Sequence, residues 1–155
     1  MGERVVVREA TSGDVEVAAG LFRGYLDFYE VTVADAGAAR EFLAERMRNG
    51  ESLVLLAEVE GGDGGGTVGF AQVYRTFSSL ALRPMWVLSD LYVAPAGRRS
   101  GAGRALLRET LRRAREAGVS GVQLETAYDN HVAQGLYEAE GFVRDPFHVY
   151  FHDLG

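Results

Sequence analysis

The sequence predicts an α+β fold built around a mixed sheet, and two observations carry that expectation. Apolar stretches of period two and stretches of helical period follow one another in the order β-α-α-β-β-β-α-β-α-β-β. The chain also has the size of one domain: 155 residues, 47% hydrophobic, with no linker or repeat. A single domain over residues 1–155 is therefore expected.

Taken in order, Arg4 to Glu9 reads as a short β-branched strand, and Ser12 or Asp14 can cap the helix that follows. That helix carries Val15, Ala18, Phe22, Tyr25 and Tyr29 at helical spacing, and its end, GYLDFYE, is aromatic on more than one side. Such a cluster can line a substrate pocket, form an oligomer interface or simply cap the core. A link through Val31 to Asp35 leads to a second helix, Ala38 to Arg48, with Ala39, Phe42, Leu43 and Met47 inward and Asn49-Gly50 as its stop.

Ser52 to Glu60 is a strand, Gly61 to Gly66 a flexible hairpin tip and Thr67 to Phe77 its partner; Ser78 to Pro84 is irregular. Met85 to Val93 is apolar on both faces, as a central strand should be. The helix after it buries Leu106, Leu107, Thr110, Leu111 and Ala114, and Arg108, Arg112, Arg113 and Arg115 form a solvated face before Gly118 stops it. Gly121 to Thr126 is the next strand. A last helix, Asn130 to Glu140, precedes closing strands at Phe142–Arg144 and Phe147–Phe151.

Composition excludes several classes of function. There is no cysteine, so disulfides, thiolate metal sites and a cysteine acyl-enzyme are ruled out. None of His131, His148 and His152 has a second ligand at metal spacing, so no metal is expected. A net charge of −6 opposes nucleic-acid binding, although arginines at 98, 99 and 104 make a local exception. No long apolar run and no leader pattern occurs, so a cytoplasmic protein without a membrane partner is the expectation.

The most informative stretch is VLSDLYVAPAGRRSGAGRALL, Val87 to Leu107. A strand breaks at Pro95, crosses a basic glycine-rich turn and restarts as a helix. Glycines at 101 and 103 let backbone N–H groups close on an anion, and the positive end of the helix dipole points at the same spot. The alternative is a glycine-rich helix start that binds nothing. Two familiar phosphate loops do not fit: Ala102-Gly103-Arg104 stands where a Walker loop needs Lys-Ser/Thr, and Leu106 stands where a dinucleotide fingerprint needs its third glycine. In the last helix, DNHVAQGLYEAEGF, Asn130, Ala133 and Tyr137 share one face and Val132, Leu136 and Ala139 another that packs on the sheet. Gly135 in mid-helix costs up to about 1 kcal/mol against alanine and invites a packing or ligand explanation.

Arg98-x-x-Gly101-x-Gly103 after a strand, followed at the right distance by Asn130-x-x-Ala133-x-x-Leu136-Tyr137-x-x-x-Gly141-Phe142, resembles the two signatures of the GNAT superfamily of acetyl-CoA-dependent N-acetyltransferases. The resemblance covers nearly the whole chain. Tyr25-x-x-Phe28-Tyr29-Glu30, Ser89-Asp90-Leu91-Tyr92-Val93 and Asn130-His131-x-Ala133 look most like the histone, polyamine and D-amino-acid acetyltransferase group. It implies a mostly antiparallel sheet of about seven strands with four helices, splayed at the cofactor site.

It also implies roles. Acetyl-CoA would lie along Leu91, Tyr92 and Val93, with its pyrophosphate on Arg98, Arg99, Ser100, Gly101, Ala102, Gly103 and Arg104, and with Asn130, Ala133 and Tyr137 along the pantetheine arm. Tyr137 would protonate the departing thiolate, a near match between a phenol of pKa about 10 and a thiol of roughly 8 to 9. For the base, the spermidine/spermine-type enzymes carry a glutamate where Ser89 stands here. Asp90 or Glu30 would act through water, or the amine arrives deprotonated; Asp90 can equally be structural. Tyr25, Phe28, Tyr29 and Glu30 would hold the acceptor, with Asp35 a weaker candidate. The expected function is acetyl transfer to a primary amine of a small cationic substrate (a polyamine, lysine-like compound or amino acid) by direct attack in a ternary complex, in a homodimer. The alternatives are a protein or peptide acceptor, or a non-catalytic acyl-CoA sensor.

Overall fold

The computed structural model describes residues 4–33, 35, 37–60 and 66–155, and the chain forms two compact units, Met1–Glu125 and Thr126–Gly155. In the first, five strands lie in the order β1-β2-β3-β4-β5: β1 Arg4–Glu9, β2 Ser52–Glu60, β3 Gly66–Ser78, β4 Arg83–Val93 and β5 Val122–Gln123. The pairs β1–β2, β2–β3 and β3–β4 are antiparallel, and β4–β5 is parallel. Helices α1 (Val15–Phe28), α2 (Ala38–Arg48) and α3 (Ala102–Ala117) belong to this unit, whereas α4 (His131–Ala139) belongs to the second.

Side chains alternate along the strands, so each face of the sheet buries its own set. Phe22 of α1 and Leu43 of α2 join Val54, Leu56 and Phe70 in one core, where the Phe22 and Phe70 rings meet edge to face at 6.1 Å. Each such side chain contributes about 1.5 to 3 kcal/mol of burial. Leu106, Leu107 and Thr110 of α3 are fully buried, and the Thr110 hydroxyl donates back to the Leu106 carbonyl at 2.8 Å. Outward arginines of α3 are ion-paired with its glutamates, Arg112 to Glu109 and Glu116.

Helix ends follow the sequence closely. Gly50, at φ +64°, closes α2 with Gly50 N–H donating to Met47 O and Glu51 N–H to Arg46 O, a Schellman arrangement. Asp14 sits at the start of α1, but its carboxylate turns back to take the Thr11 N–H at 2.7 Å and both terminal nitrogens of Arg8 at 2.8 Å.

Several expectations need correction. The sheet has five strands among the described residues, not about seven. Neither Phe142–Arg144 nor Phe147–Phe151 is a strand, and the stretch expected at Gly121–Thr126 pairs only over Val122–Gln123. A strand exists only where a neighbour takes its backbone groups, and β5 is too short to offer closing strands an edge. Phe42 is 43% exposed rather than inward, lying between the Phe22 ring and the Arg46 guanidinium. Val132 and Ala139 of α4 are exposed, and residues 126–155 contain no strand. Helix α1 ends at Phe28, and the expected irregular segment is a turn from which β4 begins at Arg83. Of the glycine run, residues 61–65 lie outside the described residues, and Gly66 opens β3.

Candidate active site

The register between β3 and β4 changes at one point. Leu88 faces Val73, yet Asp90 faces Gln72, so Ser89 is an extra residue in β4. A bulge of this kind reverses the alternation beyond it. Leu88 therefore stays on the Val73 face, whereas Asp90 and Tyr92 turn to the Gln72 and Phe70 face that α1 and α2 cover. Beyond Val87, β4 has no second strand partner among the described residues, because its pairing with β5 stops at Val87–Gln123. From Leu88 to Val93 no strand pairs with it on that side among the described residues; the Val93 carbonyl takes Arg98 Nε at 3.4 Å.

Asp90 is only 7% exposed. Its Oδ2 takes a hydrogen bond from Gln72 Nε2 at 2.5 Å, its Oδ1 one from Ser89 Oγ at 3.3 Å, and the Tyr25 side chain supplies another. The same Tyr25 hydroxyl proton is shared with the Ser89 carbonyl, 3.4 Å away. Burial pushes the Asp90 carboxyl above the ordinary carboxylate range, against the opposing pull of those three donors. Tyr74, two residues along β3, is pushed up to about 12 by burial and by the nearby Asp90.

The expected acceptor residues divide. Tyr25 reaches the bulge, with its ring 4.9 Å from Tyr29 and edge-on to Phe70. Phe28, the last residue of α1, and Tyr29 just beyond it are exposed, and Glu30 follows them, also exposed, in a left-handed turn at φ +58°.

At the far end of β4, Pro95–Gly97 makes a short 3-10 turn that Arg98 leaves in extended conformation. Arg99 (φ +66°) and Gly101 (φ +90°) are left-handed, and α3 starts at Ala102 rather than at Gly101, which caps it. Ser100 Oγ takes the Ala102 N–H at 3.2 Å and donates to the Gly97 carbonyl, fixing the loop. The next first-turn amide, that of Gly103, lies where a helix leaves its N–H groups without intrahelical acceptors. A Cβ on Gly101 would meet nothing within 4 Å, so open space lies before the helix start. The end of β4 thus runs through a glycine loop into a helix N-terminus, where backbone amides can take an anion.

Ala133 and Tyr137 lie on α4 in the second unit, with Asn130 just before it. Asn130 caps that helix, its Oδ1 taking the Ala133 N–H at 3.2 Å, and Tyr137 packs against Phe142 at 6.1 Å. Nothing stands within 4 Å of a Cβ on Gly135, so close packing does not explain that glycine. No cluster of metal-ligating side chains occurs among the described residues, and no helix among them is long and apolar enough to cross a membrane.

Sequence reasoning missed Gln72 and the bulge. Gln72 is the one amide side chain in the otherwise apolar and aromatic run VGFAQVY, a signal that was available; the bulge depends on pairing, which no single strand reveals.

Residues 19–142 match the Acetyltransferase (GNAT) family. The chain belongs to that family and is an acetyltransferase; the family uses acetyl-CoA. It is 36% identical over 145 residues to the uncharacterized N-acetyltransferase YhfO of Bacillus subtilis (strain 168), covering 94% of each chain. It is 29% identical over 147 residues to the D-amino-acid N-acetyltransferase HPA3 of Saccharomyces cerevisiae, covering 94% of this chain and 89% of the relative. A crystal structure of a probable acetyltransferase superposes with a TM-score of 0.86 at 36% identity over 98% of both chains.

Proposed function

We propose that the protein transfers the acetyl group of acetyl-CoA to the primary amine of a small cationic acceptor, a polyamine, lysine-like compound or amino acid, by direct attack in a ternary complex. The observation that carries this reading is the edge of β4 from Leu88 to Val93, paired with no second strand among the described residues, which runs into the loop 98–104. Acetyl-CoA supplies an activated acyl group whose leaving thiol needs a proton. The backbone N–H near Leu91 polarises the thioester carbonyl, and preorganised donors of this kind lower a barrier by about 3 to 4 kcal/mol. Arg98, Arg99, Ser100, Gly101, Ala102, Gly103 and Arg104 hold the diphosphate. Asn130 and Ala133 hold the arm, and Tyr137 is the general acid. Asp90 takes up the acceptor's proton, and Tyr25, Phe28, Tyr29 and Glu30 receive the acceptor. The D-amino-acid relative favours an acceptor of amino-acid size.

The reading includes a cytoplasmic setting, tested by fractionation, and a homodimer, in which the exposed Phe147, Val149, Tyr150 and Phe151 would become buried. Light scattering on the purified protein tests the dimer.

Thiol release from acetyl-CoA against a panel of amines tests the chemistry, with Tyr137→Phe in parallel. Turnover that falls at least about tenfold in the variant, about 1.4 kcal/mol of barrier, supports both the enzyme and its acid. Binding of acetyl-CoA without acetylation of any amine points instead to a sensor, and absence of binding removes the cradle assignment.

A further inference from the structure

The Gln72–Asp90 pair has a feature that a merely structural contact does not need. Gln72 is wholly buried, and its Nε2 is spent on Asp90, yet its Oε1 has no hydrogen-bond partner among the described residues. Buried amide oxygens are ordinarily satisfied, and an apolar side chain would fill the same space without the desolvation penalty. An amide is two-faced, however. Turned over, the same oxygen would accept a hydrogen bond from a protonated carboxyl at the position where Nε2 now serves the carboxylate. The contacts around Asp90 are otherwise neutral groups of either polarity: the Tyr25 hydroxyl from α1, the Ser89 hydroxyl from β4 and Tyr74 from β3. The charges that act on Tyr74 besides Asp90 are Arg46 of α2 and Glu51.

We propose that Gln72 is a positioning residue that lets Asp90 pass between carboxylate and carboxylic acid during turnover, its amide serving the first state through Nε2 and the second through Oε1. The proposal rests on the reading that the acceptor is an amine bound as its ammonium ion. Ser89, exposed at the bulge and 3.3 Å from Asp90 Oδ1, carries the proton inward. An ammonium N–H bond breaks as an O–H bond forms on Ser89 Oγ, while the serine's own proton passes to Asp90 Oδ1, and a half-turn of the carboxyl then presents that O–H to Gln72 Oε1. The amine becomes neutral and nucleophilic, Asp90 becomes neutral, the serine is regenerated and no electron changes hands. The acid returns its proton to solvent by the same hydroxyl after acetyl transfer.

The test follows the Asp90 carboxyl directly, by carbon-13 NMR titration of aspartate-labelled protein, alongside the pH profile of kcat. Gln72→Met keeps the volume and removes the amide. The Asp90 midpoint is expected to rise by about half a pH unit or more, because the charge-assisted bond lost by the carboxylate outweighs the neutral one lost by the acid, and the acidic limb of kcat should move with it. Gln72→Glu sets two carboxyls to share one proton, so its limb should move further up, and this variant carries the measurement if Gln72→Met does not fold. In Asp90→Asn the limb should disappear. An Asp90 midpoint that stays within about 0.3 unit in both Gln72 variants overturns the proposal, as does a limb that survives Asp90→Asn. Because the titration needs no turnover, a wild-type protein that acetylates no amine while its Asp90 midpoint responds to Gln72 would sink the acetyl-transfer reading and leave the protonation pair standing.

Discussion

A Cβ added to Gly24 would stand 2.8 Å from Cε2 and 2.9 Å from the hydroxyl oxygen of Tyr92. Helix α1 therefore lies on β4 at a spacing that glycine alone allows, and the Tyr92 ring fills the place of the missing side chain. That ring is itself packed against the core of Phe22, Leu43 and Phe70 and cannot swing away freely. For Gly24→Ala we expect a loss of about 1 to 3 kcal/mol of stability, the usual range for overpacking. As Tyr92 belongs to the strand end assigned to acetyl-CoA, the KM for acetyl-CoA should rise more than that for the amine. Thermal melting and a two-substrate kinetic matrix check this; an unchanged melting temperature would mean that the ring yields at no cost.

Gly101 makes the complementary case. Its φ of +90° demands glycine, yet a Cβ there would touch nothing. Gly101→Ala should cost about 1 kcal/mol of folding stability through backbone conformation alone. If the open space before α3 is where the diphosphate sits, the same methyl should weaken acetyl-CoA binding by about tenfold, some 1.4 kcal/mol. Calorimetric titration separates the two effects, and full affinity in a folded variant would move the diphosphate elsewhere.

These two glycines show what could be read beforehand. Gly101 announced itself because a glycine after a strand and before a helical period has few other uses, and Asn49-Gly50 gave the end of α2 for the same reason. Gly24 did not, since the need for it lies in a ring 68 positions away in the sequence. The bulge at Ser89 was equally hidden, and with it the fact that Asp90 turns toward Gln72 and away from the Leu88 face. Apolar pattern located β1 to β4 well because their partners are long strands. It failed after residue 123, where HVYFH alternates like a strand but finds no neighbour to pair with among the described residues.

Asp14 offers a check on the entry to α1. Two hydrogen bonds from Arg8 and one from the Thr11 N–H hold its carboxyl well below the usual range. A carboxylate depressed in this way contributes stability that is complete above its unfolded pKa of about 3.9 and is lost as pH falls through the folded value. Arg8 stays charged throughout and adds nothing to the slope. Asp14→Asn should cost about 1 to 2 kcal/mol at pH 7 and flatten the acid side of the stability curve. Denaturant titrations from pH 2 to 7 test both; parallel curves for the two proteins would refute the assignment.

Asp90 should behave in the opposite sense. Its carboxyl is raised by burial, so between the unfolded and folded pKa values the native state binds more protons than the unfolded chain, and stability falls as pH rises through that window. Asparagine in its place has no charge to desolvate and can still accept from Gln72 Nε2. Asp90→Asn is therefore expected to melt higher than the parent at pH 7.5, to match it near pH 3, and to lose at least about tenfold in kcat if the carboxyl takes the acceptor's proton. Melting curves across this range, with rates at saturating acetyl-CoA, read both quantities from the same samples. A variant less stable than the parent at pH 7.5 would make Asp90 a structural partner of Gln72, and a gain in stability with undiminished kcat would leave the buried charge without a catalytic reason.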